Sequence, residues 1–312
     1  MSSPAEPAVP RSGLGLAVAD PEDIRTRVVA AWDAFLSLAR AADLDRPSRL
    51  PGWTGAQLCV HLGRWDDSRP LDRLLHSVRA GGVGQIPHVD DENRRLVERY
   101  GDLPPAEILA ALERSRAEID EYFRSPVARE LGHRPAMSAL GPLPLSGVLN
   151  AGCYELAVHG LDLAPCGAPR PSDGLLDSGL AALIDVTGAL AARHDVHLAV
   201  TAQTPGGGWR FTADESGWVT EPVPAGEVEG TAVLATVTDL LDASAGRISV
   251  PPLLLTRRIR IQAMSSFVRL APLVEEVPGL PGGAALRTVS AGLGGSIAGV
   301  NKLFGRLPGR RR

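Results

Sequence analysis

The stretch Cys153-Tyr154-Glu155-Leu156-Ala157-Val158-His159-Gly160-Leu161-Asp162-Leu163 decides how the first half of this chain is read. It closes a largely apolar run that starts near Leu145, and its spacing predicts a helix. On that helix Glu155 and His159 project from one face, about one turn apart. Such pairs also occur as solvated surface pairs, so spacing alone leaves two readings open. The surroundings favour one of them, because a carboxylate among apolar side chains is costly unless it is paired or coordinated. A partner stands in a second segment, where Leu50-Pro51-Gly52-Trp53-Thr54 leads into a run with His61 among Leu58, Val60 and Leu62. Two imidazoles and a carboxylate form the ligand set of open catalytic zinc sites, which keep one coordination position for chemistry. His61, Glu155 and His159 are therefore the candidate metal ligands. Asp162 has two readings: an acceptor for the free ring N–H of a ligating His159, or a local turn acceptor at the helix end.

Working outward, the periodicity places four amphipathic helices before residue 165. Asp20 caps and Pro21 opens the first, with Ile24, Val28, Ala31, Phe35 and Leu38 on its apolar face. Thr54 and Gln57 fit a capping box for the second, which the pattern extends to about Arg79. A polar helix, Asp90 to Tyr100, precedes the third, Glu107 to Phe123. Residues 125–144, rich in Pro and Gly, read as a loop before the helix that carries Glu155 and His159. Four such helices predict an antiparallel bundle, in which sites are built from side chains on facing helices.

The pattern changes after residues 165–174, a Pro-containing linker. A helix from Leu175 to Arg193 leads into alternating stretches at Val196–Thr201, Trp209–Thr212, Gly217–Thr220 and Glu227–Leu234. A helix from Thr238 to Gly246, a strand Arg258–Gln262 and a short helix Ser265–Leu273 follow. Helices beside an antiparallel sheet make this second unit α+β. The expected organisation is a disordered segment 1–19, a metal-binding bundle 20–164, the linker, an α+β domain 175–278 and a basic Gly-rich tail 279–312.

Composition narrows the partners. Residues 256–312 hold ten basic side chains against Glu275 and Glu276, a balance of +8. The preceding 255 residues hold 22 basic and 34 acidic side chains, a balance of −12. So acidic a body argues against nucleic acid, whose phosphates require clustered positive charge. Cys59, Cys153 and Cys166 fit no disulfide framework or CxxC motif and read as small buried hydrophobes. The first residues lack the apolar core of a secretory signal, and no uninterrupted apolar run reaches the roughly 18 residues of a membrane span. A cytoplasmic protein is expected. There is no GxSxG, and Gly206-Gly207-Gly208 lies between strands, where it makes no phosphate loop.

These words together resemble the mycothiol-dependent maleylpyruvate isomerase family. Pro51, Gly52, Trp53 and Thr54, then His61, then Glu155, His159, Gly160, Asp162 and Leu163 stand where that family's pattern has them. The stretch Thr231 to Arg247 is similar to its C-terminal domain. The resemblance implies a DinB-like four-helix bundle followed by a smaller sterol-carrier-like α+β domain. It implies a divalent metal, usually zinc, on His61, Glu155 and His159, and mycothiol as the thiol cofactor. In the family the thiolate adds to an activated double bond of a small electrophile, followed by rotation and elimination, or remains attached in thiol transfer. The resemblance also implies an anion-binding arginine from the C-terminal domain, for which Arg247 is the candidate with Arg258 and Arg260 behind it. The expected partners are the thiol and a small-molecule electrophile, in a monomer or homodimer. Two other readings fit the same residues: a carrier of apolar ligands, and a regulatory protein that keeps the metal site without turnover.

Overall fold

The computed structural model describes residues 13–85, 88–270 and Leu273; the predicted tail 279–312 and residues 1–12 of the predicted disordered segment lie outside them. Asp20 accepts the Glu22 N–H and Pro21 fills the first helical position of α1 (Pro21–Ala41). Helix α2 (Gly55–Val60) opens with the expected capping box: Thr54 Oγ1 accepts the Gln57 N–H while Gln57 Oε1 accepts the Thr54 N–H.

The second helix does not continue to Arg79. It ends after six residues, and His61 becomes its C-cap. Trp65 folds back so that its Nε1–H donates to the Val60 carbonyl at 2.8 Å, taking an acceptor that a continuing helix would use. A new helix, α3 (Pro70–Arg79), starts where proline supplies no N–H for a longer one. The break matters for chemistry, since it turns His61 into a helix-terminal side chain.

Helices α4 (Val89–Tyr100), α5 (Pro105–Arg124) and α6 (Pro126–Leu131) follow, then the antiparallel hairpin β1 (Pro135–Ser138) and β2 (Gly141–Pro144). The stretch 125–144 is thus not a loop. Its prolines sit at a helix start and on a two-stranded ribbon with no third strand to pair, where a missing N–H costs little. Helix α7 (Leu145–Asp162) comes next. Phe35, Leu58, Ile108, Leu112, Leu156 and Leu163, all fully buried, tie α1, α2, α5 and α7 into one apolar core.

Ser172 caps α8 (Asp173–Arg193), which lies between α7 and a sheet. At Gly179 the two helices touch so closely that an added Cβ would stand 2.4 Å from the Ala157 Cβ. Among the described residues α8 alone is long and apolar enough to cross a bilayer, yet most of it is buried in this sandwich. The sheet comprises β3 (Leu198–Thr204), β4 (Gly207–Asp214), β5 (Gly217–Val223), β6 (Ala232–Leu234) and β7 (Arg260–Gln262), ordered β5-β4-β3-β6-β7. Val200, Ala202, Phe211, Ala213 and Trp218 pack toward α8. Helices α9 (Val237–Ser244) and α10 (Val250–Leu255) sit between β6 and β7 in the chain.

The protein is α+β, as expected, but the sheet is mixed. β3 and β6 run parallel, with Ala202 opposite Val233. Residues 224–231 carry the chain from β5 to the far side of β3, so β6 cannot form a hairpin with β5. Pro224, Gly226 and Gly230 keep that crossing irregular and shorten the strand expected from Glu227 to three residues.

The expectation of disorder over 1–19 fails for residues 13–19. Gly15–Val18 form a 3-10 turn whose Leu16 joins the core between α8 and the sheet. The Leu16 N–H, Trp218 Nε1–H (both 2.9 Å) and Thr220 Oγ1–H (2.7 Å) all donate to Asp185 Oδ1, which is buried on α8. Gly15, at φ +55°, is required there, since a Cβ would stand 1.9 Å from Trp218 Nε1. Burial pushes the Asp185 carboxyl above its ordinary value, against the opposing pull of the Thr220, Leu16 and Trp218 bonds. A raised carboxyl favours the fold while protonated, and that contribution is lost as pH rises through the folded value. Asp185→Asn keeps the acceptor and removes the charge, so its melting temperature should equal or exceed wild type at neutral pH, with the advantage vanishing in acid. Asp185→Leu strands three donors and should cost about 3 kcal/mol or more. Thermal melts across pH check both; an Asn variant far less stable than wild type at neutral pH would contradict this account.

Candidate metal centre

Two local features aim the three ligand candidates at one point. His61 ends α2, and its Nδ1–H donates to the Leu58 carbonyl at 2.6 Å. This bond assigns the tautomer and leaves Nε2 open. On α7, His159 Nδ1–H donates to Asp162 Oδ2 at 3.0 Å, which turns its Nε2 toward Glu155 Oε2 at 3.2 Å. The imidazoles stand nearly perpendicular, at 83° with centroids 4.7 Å apart, and Trp53 packs edge-on against His61. One ligand atom from each of His61, Glu155 and His159 lies within 4.8 Å of the others. Two donors at adjacent vertices of a tetrahedral zinc site are about 3.3 Å apart, close to the His159–Glu155 spacing. The donor set and its spacing fit a divalent cation. His159 is buried, whereas the Glu155 carboxylate is half exposed and faces a cleft.

The protonation chemistry suits His61 and Glu155 directly, whereas His159 is held toward its charged form and would give up its Nε2 proton on binding a metal. Burial, with the neighbouring His159, pulls the His61 imidazole down to about 3, so it is neutral at physiological pH, as a metal ligand must be. Partial desolvation by the protein around the cleft mouth would raise Glu155, but His159 and His61 hold it below the ordinary carboxylate range. Burial would lower His159; hydrogen bonds to Asp162 and Glu155 more than reverse that.

Asp162 takes the first of its two readings. It is fully buried and is held from the other half of the chain. Arg247, in the turn after α9, donates from Nε to both carboxylate oxygens at 2.9 and 3.1 Å and from Nη2 to Oδ2 at 2.8 Å. Burial raises Asp162, but His159 and Arg247 bring it below its ordinary value. Arg49 donates its N–H to the Asp162 carbonyl at 3.0 Å and pairs through Nη2 with Asp242 Oδ1 at 2.9 Å. The Tyr154 hydroxyl meets Ser244 Oγ at 3.0 Å and adds a further tie between α7 and α9.

Arg247 therefore reaches the site by a different route from the one expected. Its guanidinium is committed to Asp162 and does not line the cleft. Arg258 and Arg260 line a separate depression with Gln203 and Thr236, where Arg258 pairs with Asp239. The sequence reading did not single out Arg49 or Asp242. Asp242 stands five residues before Arg247, whose N–H donates to the Asp242 carbonyl, but nothing local marks its distant partner. Cys59 and Cys153 are buried and burial raises both thiols, Cys153 to about 12, in keeping with a packing role.

A cleft of about 950 Å³ opens from His61, Glu155 and His159 between α3, α4 and the β1 strand. Residues 25–164, which carry all three ligand candidates, match the sequence model of the mycothiol maleylpyruvate isomerase N-terminal domain. The match places an N-terminal domain of this family over residues 25–164. A crystal structure of a mycothiol-dependent maleylpyruvate isomerase with a His-to-Ala substitution is similar over 76% of this chain and 93% of its own, at 18% identity and a TM-score of 0.50. A second crystal structure of a mycothiol-dependent maleylpyruvate isomerase aligns over 75% of this chain and 92% of its own, with 17% identity and a TM-score of 0.48. At 18% identity the first likeness speaks to the α+β fold alone. No curated protein matches the chain.

Proposed function

We propose that the chain is a metal- and thiol-dependent enzyme that isomerises a small electrophile or transfers a thiol to it, with its site at the mouth of the cleft. The observation that carries this reading is the convergence of His61 Nε2, His159 Nε2 and Glu155, with the other nitrogen of each imidazole already held. In this reading zinc is the metal, mycothiol the thiol and the cytoplasm the compartment. The helices α1, α5, α7 and the broken α2–α3 segment form a DinB-like bundle, and the unit after α7 is sterol-carrier-like.

A divalent cation bound here would favour the thiolate of a thiol at its open position, the form that attacks an electron-poor double bond. The chain's own residues supply the rest. The Leu58 carbonyl fixes the His61 ring, whose Nε2 lone pair is free, and Asp162 fixes the His159 ring, whose Nε2 would become a ligand once its proton is displaced. Arg247 keeps Asp162 ionised and immobile. Trp53 and the apolar lining behind it limit water on one side, while half-exposed Glu155 leaves the other side open to reactants.

The test is a mass-spectrometric search for a thiol–electrophile adduct or isomerised product in an extract of the source organism, with and without purified protein. We expect products that appear with wild type and are lost with His61→Ala. Metal retained with no thiol-dependent product in such extracts would contradict the catalytic reading.

A further inference from the structure

The cleft at the metal centre carries a charge pattern unsuited to an anionic substrate. Its described walls include two arginines, and both are already paired: Arg73 Nη1 donates to Glu92 Oε1 at 2.6 Å, and Arg94 pairs with Asp91. Asp90 and Glu98 also line the cleft and have no ion pair among the described residues. His76 is the one other basic side chain on the wall beyond His61 and His159. Arg247, which would have served an anion, is committed to Asp162 and lies off the wall. Between the charged groups the surface is apolar, with Trp53, Leu62, Leu74, Leu96, Val97 and Met137 contributing.

An anion entering this space gives up hydration and must compete with Glu92 and Asp91 for the only two arginines on the described walls. It also approaches carboxylates of its own sign, a repulsion that discriminates against it even without steric conflict. An uncharged apolar molecule suffers neither loss and gains contact with the walls. We propose that this cleft selects an uncharged, apolar electrophile and rejects dicarboxylates. The proposal rests on the metal centre being the active site and adds the substrate class. The discriminating features are the pairing of Arg73 and Arg94 and the withdrawal of Arg247 to a neighbouring carboxylate.

Maleate and dimethyl maleate make a matched pair of probes, with one carbon skeleton and double bond but different charge. Calorimetric titration of the full chain, zinc-loaded and metal-stripped, compares them; the stripped protein separates the preference of the walls from direct coordination of a carboxylate. The protein's three thiols are buried, so the ester meets no reactive cysteine. We expect the ester to bind at least about tenfold more tightly than maleate in the stripped protein. Asn93, half-buried on the α4 wall, is the site for a reversal: Asn93→Arg should raise maleate affinity several-fold and leave ester binding within about twofold. Maleate binding as tightly as the ester to stripped wild type, or an unchanged maleate affinity in folded Asn93→Arg, would overturn the proposal. Failure of the metal reading registers separately, as absence of stoichiometric zinc uptake in the same samples, and leaves the ester preference intact.

Discussion

Replacing His61 with alanine is expected to lower divalent-metal affinity by about two orders of magnitude or more while leaving the fold nearly intact. Loss of groups that merely orient ligands typically costs 10–100-fold, and His61 supplies a coordinating nitrogen itself. The fold is spared because His61 terminates α2, and its one hydrogen bond is to the Leu58 carbonyl of its own helix. Losing that bond and the edge contact with Trp53 should cost about 1 kcal/mol. Competitive metal titration and thermal melts separate the two effects. A His61→Ala protein that binds metal as wild type does would remove His61 from the site, whatever its catalytic behaviour.

Asp162→Ala should have the larger effect on stability. The carboxylate is fully buried, accepts from His159 Nδ1 and from Arg247, and lies 3.8 Å from the Arg49 Nε. Removing it leaves a mostly buried guanidinium without its partner, a change that costs about 3–5 kcal/mol when a buried pair is broken. It also frees the His159 ring, so metal affinity should fall about 10–100-fold in the protein that remains folded. The pH dependence has a definite sign. Burial alone would raise Asp162, but the His159 and Arg247 contacts hold it below its ordinary value, so its stabilisation is present above the unfolded carboxyl value of about 3.9. It is lost as pH falls through the lower folded value. Wild type should therefore lose its advantage over Asp162→Ala in strong acid. Arg247→Ala should destabilise too, and the double variant should cost less than the sum of the singles because the residues share one interaction. Denaturant melts of the four proteins test this; additive losses would show that Arg247 and Asp162 act independently.

The ligand words were legible because each is local and chemically odd: His61 in an apolar run, and Glu155 and His159 one turn apart in another. The helices with regular apolar spacing, α1 behind its Asp20 cap and α5 behind Pro104 and Pro105, could be read almost to their ends for the same reason. The break after Val60 was hidden because Leu58, His61, Leu62 and Trp65 keep a helical period, and what ends the helix is the folded-back Trp65 ring. The 125–144 region was opaque because proline signals interruption without saying whether a short helix or a hairpin follows. The parallel pairing of β6 with β3 depends on where residues 224–231 cross, which no alternation pattern encodes. Arg247 shows the same limit at the site. Its presence near the metal centre was readable from the resemblance, but its partner is a buried carboxylate 85 residues away, set by the packing of α9 on α7.

The organising claim is that His61, Glu155 and His159 bind one metal ion. Crystals of protein purified without chelator and loaded with one equivalent of zinc, measured at the zinc absorption edge, test it directly. The account predicts a single strong anomalous peak at about 2.0–2.2 Å from His61 Nε2, His159 Nε2 and a Glu155 oxygen. No peak among these three side chains, or zinc bound elsewhere with them unengaged, would contradict it.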